Sequence, residues 1–349
     1  MLTQKQIFEI KKALLNYQNP IFMFDNDQDG LCSFLLLRRF FGKGEGISIK
    51  SFPDLNKSYF KKVKEFSSDC VFILDKPVVS GEFFEEIKNN RIPVFWIDHH
   101  HINLQNIPKF VHYYNPLFNK KKGEEPVTYL SYQITKNKED IWIAVIGCIS
   151  DKFFPNFYKE FEKKFPDLTI KSKNPSDIFY KSPIGKIARI LGFALNDKPS
   201  NVKSMIEFLI NCKSPYEILN ENQENKKIHK RFSEVYKKYE KLLLKAKSQV
   251  NKEKLLFFKY SGELSISGHL SNELIYNYPD KIVLVAYIKG LKTNISMRGK
   301  KSLKILLESI KGIEGASGGG HEEAVGGQIP TNKLDEFKEN LIKTIKHFN

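Results

Sequence analysis

Four apolar runs in the first 155 residues each give way to an acidic or acidic-histidine cluster, and this recurrence restricts the fold more than any other feature. Residues 21–24 lead into Asp25-Asn26-Asp27-Gln28-Asp29-Gly30, residues 71–74 into Asp75, Val94–Ile97 into Asp98-His99-His100-His101, and residues 143–150 into Asp151. Each acidic residue therefore stands where an element stops. An open α/β sheet gathers its ligands beyond the carboxyl ends of its strands, so four such ends would bring Asp27, Asp29, Asp75, His99 and Asp151 together. Carboxylates and imidazoles without thiolates suit Mn²⁺ or Mg²⁺ better than a structural zinc. The chemistry this favours is two-metal phosphoester hydrolysis.

Between these clusters the pattern alternates strand and helix. Strands are expected at 20–24, 47–52, 70–74, 92–97 and 111–114, and helices at 4–17, 30–41, 81–90 and 127–135, which argues for a doubly wound, mostly parallel sheet covered on both faces. The apolar stretch 141–150 fits strand or buried helix, and helix is favoured, with Asp151 at its C-terminal end. Prolines 155, 166, 175, 183, 199 and 215 punctuate a helical annex that completes a first domain at 1–215. Residues 216–250 are Glu- and Lys-rich with apolar residues at helical spacing, as in a long connecting helix. Strand signals return in 251–349, at 255–260, 281–287, 293–297 and 325–329, with helices at 302–310 and 333–347, giving a smaller second α/β domain.

At 349 residues with 41% hydrophobic content, the chain can fill two cores. Its four cysteines, Cys32, Cys70, Cys148 and Cys212, show no CxxC spacing, so neither a disulfide framework nor a zinc ribbon is expected, and a reducing cytoplasm is the simplest setting. The start of the chain reads as an amphipathic helix and not as a signal peptide. No apolar run approaches the roughly 18 residues of a membrane span. The net charge of +16 favours a polyanionic partner such as nucleic acid, although an A+T-rich codon bias would also enrich lysine.

Asp25-x-Asp-x-Asp-Gly30 matches the opening of a calcium-binding EF-hand loop, but Leu36 stands where the loop needs Glu, and a strand precedes the motif where a helix should. What remains is a strand-to-helix turn, in which Asp29 is also placed to serve only as a helix cap. Asp98-His99-His100-His101 is more informative, since neutral imidazole binds divalent ions and an adjacent carboxylate can fix its tautomer. Successive side chains cannot all reach one atom, so one His would bind metal and its neighbour would face substrate. In the second domain, residues 317–327 form a glycine-rich turn around His321, able to make an anion-binding nest from consecutive N–H groups or simply to join two strands. Arg298, at a strand end, offers a planar fork for phosphate.

Together these motifs resemble the DHH phosphoesterase superfamily with its DHHA1 partner domain, named for Asp98-His99-His100. The four acidic motifs fall in family order, followed by Ser296-x-Arg298 and Gly319-Gly320-His321-x-x-Ala324-x-Gly326. The acidic opening and Asn115-Pro116 look like RecJ-type single-strand exonucleases of the compact archaeal kind, some of which associate with replication or repair factors. Relatives acting on small phosphates usually carry a His four residues before the middle Asp; here that position is Met23.

The resemblance implies a DHH catalytic domain at 1–215, a DHHA1 substrate-binding domain at 251–349 and a cleft between them. It implies two Mn²⁺ ions, with Mg²⁺ as the alternative, Asp27 on one and Asp29 on the other, Asp75 bridging, and His99 and Asp151 completing the set. Asp25 would act as a further ligand or, with Asp98, at the periphery; His100 would contact the scissile phosphate, and Arg298, Gly319, Gly320 and His321 would hold the strand. Bacterial RecJ carries an additional OB-fold domain for which this sequence shows no stretch, so processivity and polarity do not carry over. A nanoRNase or phosphoadenosine phosphatase, or a non-catalytic replisome scaffold of the same superfamily, are the competing expectations.

Overall fold

Along the strands of the N-terminal half, Phe22, Phe24, Phe72 and Leu74 enter one apolar core while Ile21, Met23, Val71 and Ile73 enter another. The period-two alternation of a strand thus feeds two layers, as a sheet covered on both faces requires. The structure, a computed structural model, describes residues 1–51 and 54–348 and divides into two compact units, Met1–Phe232 and Ser233–Asn349. Phe52, the expected end of the second strand, lies outside the described residues.

The first unit opens with helix α1 (Gln4–Asn16), strand β1 (Pro20–Asp25), helix α2 (Gln28–Phe41) and strand β2 (Glu45–Ile49). A short strand β3 (Asp54–Leu55) and helix α3 (Phe60–Glu65) lead to β4 (Cys70–Leu74), β5 (Val78–Val79), helix α4 (Gly81–Asn89), β6 (Val94–Ile97) and β7 (Val111–Tyr114). The main sheet runs in the order β2-β1-β4-β6-β7 with every pairing parallel. Counted within this sheet the order is 2-1-3-4-5, so the topological switch point falls between β1 and β4, where ligands of doubly wound folds collect. Asp25 ends β1 and Asp75 follows β4, on either side of that point.

Helices α5 (Val127–Thr135) and α6 (Ile141–Ser150) follow, and α6 settles the ambiguous apolar stretch as a buried helix. Its residues enter the core all round, which is why their hydrophobicity shows no single face. Helices α7 (Tyr158–Lys164), α8 (Pro175–Lys181), α9 (Pro183–Ala194), α10 (Pro199–Asn211) and α11 (Pro215–Leu219) build the annex, three of them with Pro at the first helical position and a Ser or Asn cap before it. Helix α12 (Lys226–Lys247) is the long amphipathic helix, and the division between units falls inside it.

The second unit contains β8 (Leu255–Ser261), helix α13 (Ser267–Asn277), β9 (Ile282–Lys289), β10 (Lys292–Arg298), helix α14 (Ser302–Ser309), β11 (Ser317–His321), β12 (Ala324–Pro330) and helix α15 (Leu334–Phe348). Its sheet runs β11-β12-β10-β9-β8, with β8 and β9 parallel and the other pairings antiparallel. In this unit two elements differ from the sequence reading: α13 has no counterpart in it, and the glycine run is strand β11 and not a turn; in the first unit β3, α3 and β5 have no counterpart either. No helix among the described residues is long and apolar enough to cross a membrane.

Candidate metal centre and phosphate-binding residues

The turn from β1 into α2 is built around Asp27, which occupies the N-cap of α2 and accepts the Gly30 N–H at 2.9 Å. Gly30 is obligatory here, because a Cβ at this position would collide with the backbone of Asp25. Asp29 does cap a helix, but a distant one. Its carboxylate accepts the N–H groups of Val127 (2.9 Å) and Thr128 (2.7 Å), which open α5 and would otherwise lack partners. The positive end of the α5 dipole favours an acidic side chain, and the two donors fix its direction.

Asp75 follows β4 with φ +59°, a left-handed conformation rare outside glycine. The turn breaks strand alternation, so that Asp75 and the next residue, Lys76, are both buried at the same sheet end. The Lys76 ammonium donates to Asp25 Oδ1 at 2.7 Å and to the Ser51 carbonyl at 3.0 Å, and Trp96 Nε1 donates to the Lys76 carbonyl at 2.9 Å.

The histidines after β6 enter the same space. His99 Nε2 lies 3.3 Å from Asp75 Oδ1, and its Nδ1 lies 3.8 Å from Asp151 Oδ2 at the C-cap of α6. His100 Nδ1 meets Asp98 Oδ1 at 2.7 Å and stands 3.8 Å from Asp75 Oδ1. Behind them, Tyr113 Oη donates to Asp98 Oδ2 at 3.1 Å, and the Asn115 amide donates to Tyr113 Oη (2.8 Å) and to the His100 carbonyl (2.9 Å). Asp98 is fully buried and its two oxygens are both engaged. Among the described residues, two groups have ligand atoms within 4.8 Å of one another: Asp75, His99 and His100, and Asp29, His99 and Asp151.

The electrostatics are those of a carboxylate cluster short of positive charge. Burial and the neighbouring charges of Asp25 and Asp29 raise Asp27 to about 8 against the Gly30 hydrogen bond. Burial, with the charges of Asp29, Asp27, Asp25 and Asp151, pushes Asp75 well above the carboxylate range. Desolvation raises Asp151 to about 6, with His99 opposing it. His100 goes the other way to what burial alone would do: the charge and hydrogen bond of Asp98 lift it to about 9. Burial would raise Asp98, but His100 prevails and holds it low. The Oδ1 atom of Asp75 is buried without a hydrogen bond among the described residues. An orphaned buried oxygen among mutually repelling carboxylates, beside imidazole nitrogens and without thiolates, fits divalent cations of the hard or borderline kind.

In the second unit Arg298, at the end of β10, donates from Nε to Asn272 Oδ1 at 2.6 Å and from Nη1 to the carbonyls of Met297 (2.9 Å) and Val325 (3.2 Å). Asn272 lies on α13, the helix missed in the sequence. Gly319 and Gly320 lie on the edge strand β11, paired with Gly326 and Val325 of β12. Strand backbone points its N–H groups alternately to either side, so consecutive N–H groups do not converge and the expected anion nest is not formed. Gly320, with φ +137° and close to the Ala324 carbonyl, is needed for the tight return of the hairpin. His321 closes the strand, and its side chain lies outside what the structure describes.

Sequence reasoning thus named the residues that meet at the sheet end, but missed Lys76, Tyr113 and Asn272. Lys76 carried one signal, a charge directly after an apolar strand and its acid. Tyr113 and Asn272 carried none.

Comparison with known proteins adds a family domain and a fold. Residues 253–347 match the family model of the DHHA1 domain. No curated protein sequence matches the chain. Among solved structures, RecJ from Thermus thermophilus in complex with Mn²⁺ superposes with a TM-score of 0.72 at 15% identity, over 98% of this chain and 54% of that one. The chain therefore spans about half the length of that protein. An exonuclease RecJ bound to manganese gives 0.67 at 14% identity, over 98% of this chain and 94% of the other. A pGpG-specific phosphodiesterase from Vibrio gives 0.51 at 15% identity, over 95% and 99%. At these identities the likeness establishes the fold.

Proposed function

We propose that this chain, which has the fold of the DHH/DHHA1 superfamily and carries a DHHA1 domain at 253–347, is a metal-dependent phosphodiesterase that hydrolyses single-stranded DNA or RNA from an end. The observation that carries the reading is the meeting of Asp29, Asp75, His99, His100 and Asp151, from segments far apart in the chain, at the switch point of the parallel sheet. Asp27, Asp29, Asp75, His99 and Asp151 would hold two divalent cations, Mn²⁺ or Mg²⁺. Cations bound there would supply Lewis acidity toward a phosphoryl oxygen and make water a nucleophile near neutral pH.

The chain's own residues do the rest. His100, kept protonated by Asp98, places positive charge where a phosphoryl oxygen gains negative charge. Tyr113 and Asn115 fix the Asp98 carboxylate and the His100 backbone, so the imidazolium is oriented before substrate arrives. Arg298, with its fork immobilised by Asn272 and two carbonyls, serves as a phosphate or base contact. The basic balance of the chain, +16, supplies sequence-independent attraction for a polyanion.

The decisive experiment is a time course on 5′- and 3′-labelled single strands of both sugars with Mn²⁺ and Mg²⁺. End-directed degradation that requires the metal supports the reading, and intact strands with either ion refute it. A second reading, hydrolysis of di- to pentanucleotides, is favoured by the match over almost the full length of the pGpG-specific phosphodiesterase. Under that reading a long competing strand leaves the cleavage of short oligomers unchanged.

A further inference from the structure

Lys76 places a buried ammonium inside an acidic centre. Its side chain is 2% exposed and its Nζ sits 2.7 Å from Asp25 Oδ1, with the Ser51 carbonyl as a second acceptor. The placement is built in from several directions. The left-handed Asp75 turns the chain inward, the Trp96 indole holds the Lys76 carbonyl, and Asp25 is set by its position at the end of β1. Asp25 is itself only partly buried, at 29% side-chain exposure. A lysine that served only to neutralise it would have been free to do so from the surface, with less desolvation.

We propose that Lys76 is a positioning residue of the metal centre: it withdraws Asp25 from cation binding and sets, by its own charge, how tightly the remaining carboxylates hold divalent ions. The inference rests on the reading of this cluster as a metal centre and deepens it. The physical reason is Coulombic. Asp25, the partner of Lys76, acts on the charges of Asp27 and Asp75, and these in turn interact with Asp29 and Asp151. A fixed positive charge inside that set competes with a divalent cation for the same field. Pairing with Lys76 also takes the Asp25 carboxylate, the neighbour of Asp27, out of the set of ligands open to an ion.

The test is calorimetric titration of MnCl₂ into the full chain and its variants, with no turnover involved. Removing the positive charge bonded to Asp25 should tighten Mn²⁺ binding in Lys76→Met by about tenfold or more. Lys76→Arg, which keeps the charge, should stay within about twofold of wild type. The double variant Asp25→Asn/Lys76→Met, which removes both members of the pair, should return to wild-type affinity. If Asp25 were instead a ligand, the double variant would bind more weakly than wild type, and this outcome overturns the inference even where Lys76→Met alone fails to fold. Unchanged affinity in a folded Lys76→Met also overturns it. A wild-type chain that takes up no Mn²⁺ overturns the metal centre itself, a result distinct from either.

Discussion

Asp75 and Arg298 each stand at the end of a buried strand, one in each unit, and their surroundings are opposite. Asp75 keeps a buried oxygen without a hydrogen bond among the described residues and is crowded by four other carboxylates. Arg298 has its guanidinium held by an asparagine and two carbonyls. The first arrangement is costly in itself, because buried like charges repel in a medium that screens them poorly, and under the proposed function a cation would relieve it. The second is already at rest. Under the proposed function the difference has a reason: a group that would change partners during a reaction is left wanting one, whereas a group that would only hold is fixed beforehand.

This contrast can be broken at its strongest point first. Asp75→Ala should lower metal-dependent hydrolysis by about a thousandfold or more, the several kcal/mol expected of lost transition-state charge stabilisation. Near-wild-type rates measured on a labelled single strand would remove Asp75 from the centre. Asp98→Asn should cost about a hundredfold in kcat, since the imidazole loses its charge partner and the amide has one acceptor oxygen where the carboxylate accepts from both His100 and Tyr113. An unchanged kcat would show that the pair with His100 is only structural.

A third measurement sharpens the difference through pH. In metal-free protein Asp27 is raised to about 8 and Asp75 is also held well above the carboxylate range, so their ionised forms destabilise the folded state, fully above the folded value and less as pH falls below it. His100, raised to about 9, contributes stability that is fully present below about 6.5 and lost as pH rises through 9. Both act in one direction. Thermal melting should therefore show the metal-free chain gaining stability from pH 9 down to about 6.5. Saturation with Mn²⁺ at about a hundred times its Kd should add roughly 2.7 kcal/mol at neutral pH and flatten that slope. A slope of the opposite sign would mean the carboxylates are already compensated.

The smallest effect belongs to the second unit. Arg298→Lys keeps the charge but loses the planar fork, and should weaken single-strand binding by about tenfold with kcat little changed. A loss confined to kcat would place Arg298 on the reacting phosphate and dissolve the distinction between holding and reacting groups.

Much of this was legible in the sequence wherever periodicity and chemistry coincided. The three central strands of the parallel sheet, β1, β4 and β6, are short apolar runs ended by acids, and their burial on both faces is what such runs predict. Strand β11 was not legible, because Ser317-Gly318-Gly319-Gly320 has no side-chain alternation to read and its strand character comes from pairing with β12. Helix α13 escaped because its buried positions, Ser267, Leu270, Ser271 and Leu274, are half polar, and Ser271 bonds to Ser296 of the adjoining strand. In the centre, the acids could be named but not their partners. That Asp29 would be held by the N–H groups of residues 127 and 128, and Asp98 by Tyr113, depends on folded contacts that no local pattern records.

The parallel order of the main sheet has one more consequence. Parallel neighbours cannot be joined by hairpins, so Asp29, Asp75 and His99 are separated along the chain by crossover segments, and with Asp151, brought in by α6, they arrive at their common point from distant positions. Long-range pairing of this kind slows folding. No excised fragment should retain affinity for the ion, and a proteolytic nick in any crossover should abolish it all at once, which makes metal uptake a sensitive reporter of whether this domain has finished folding.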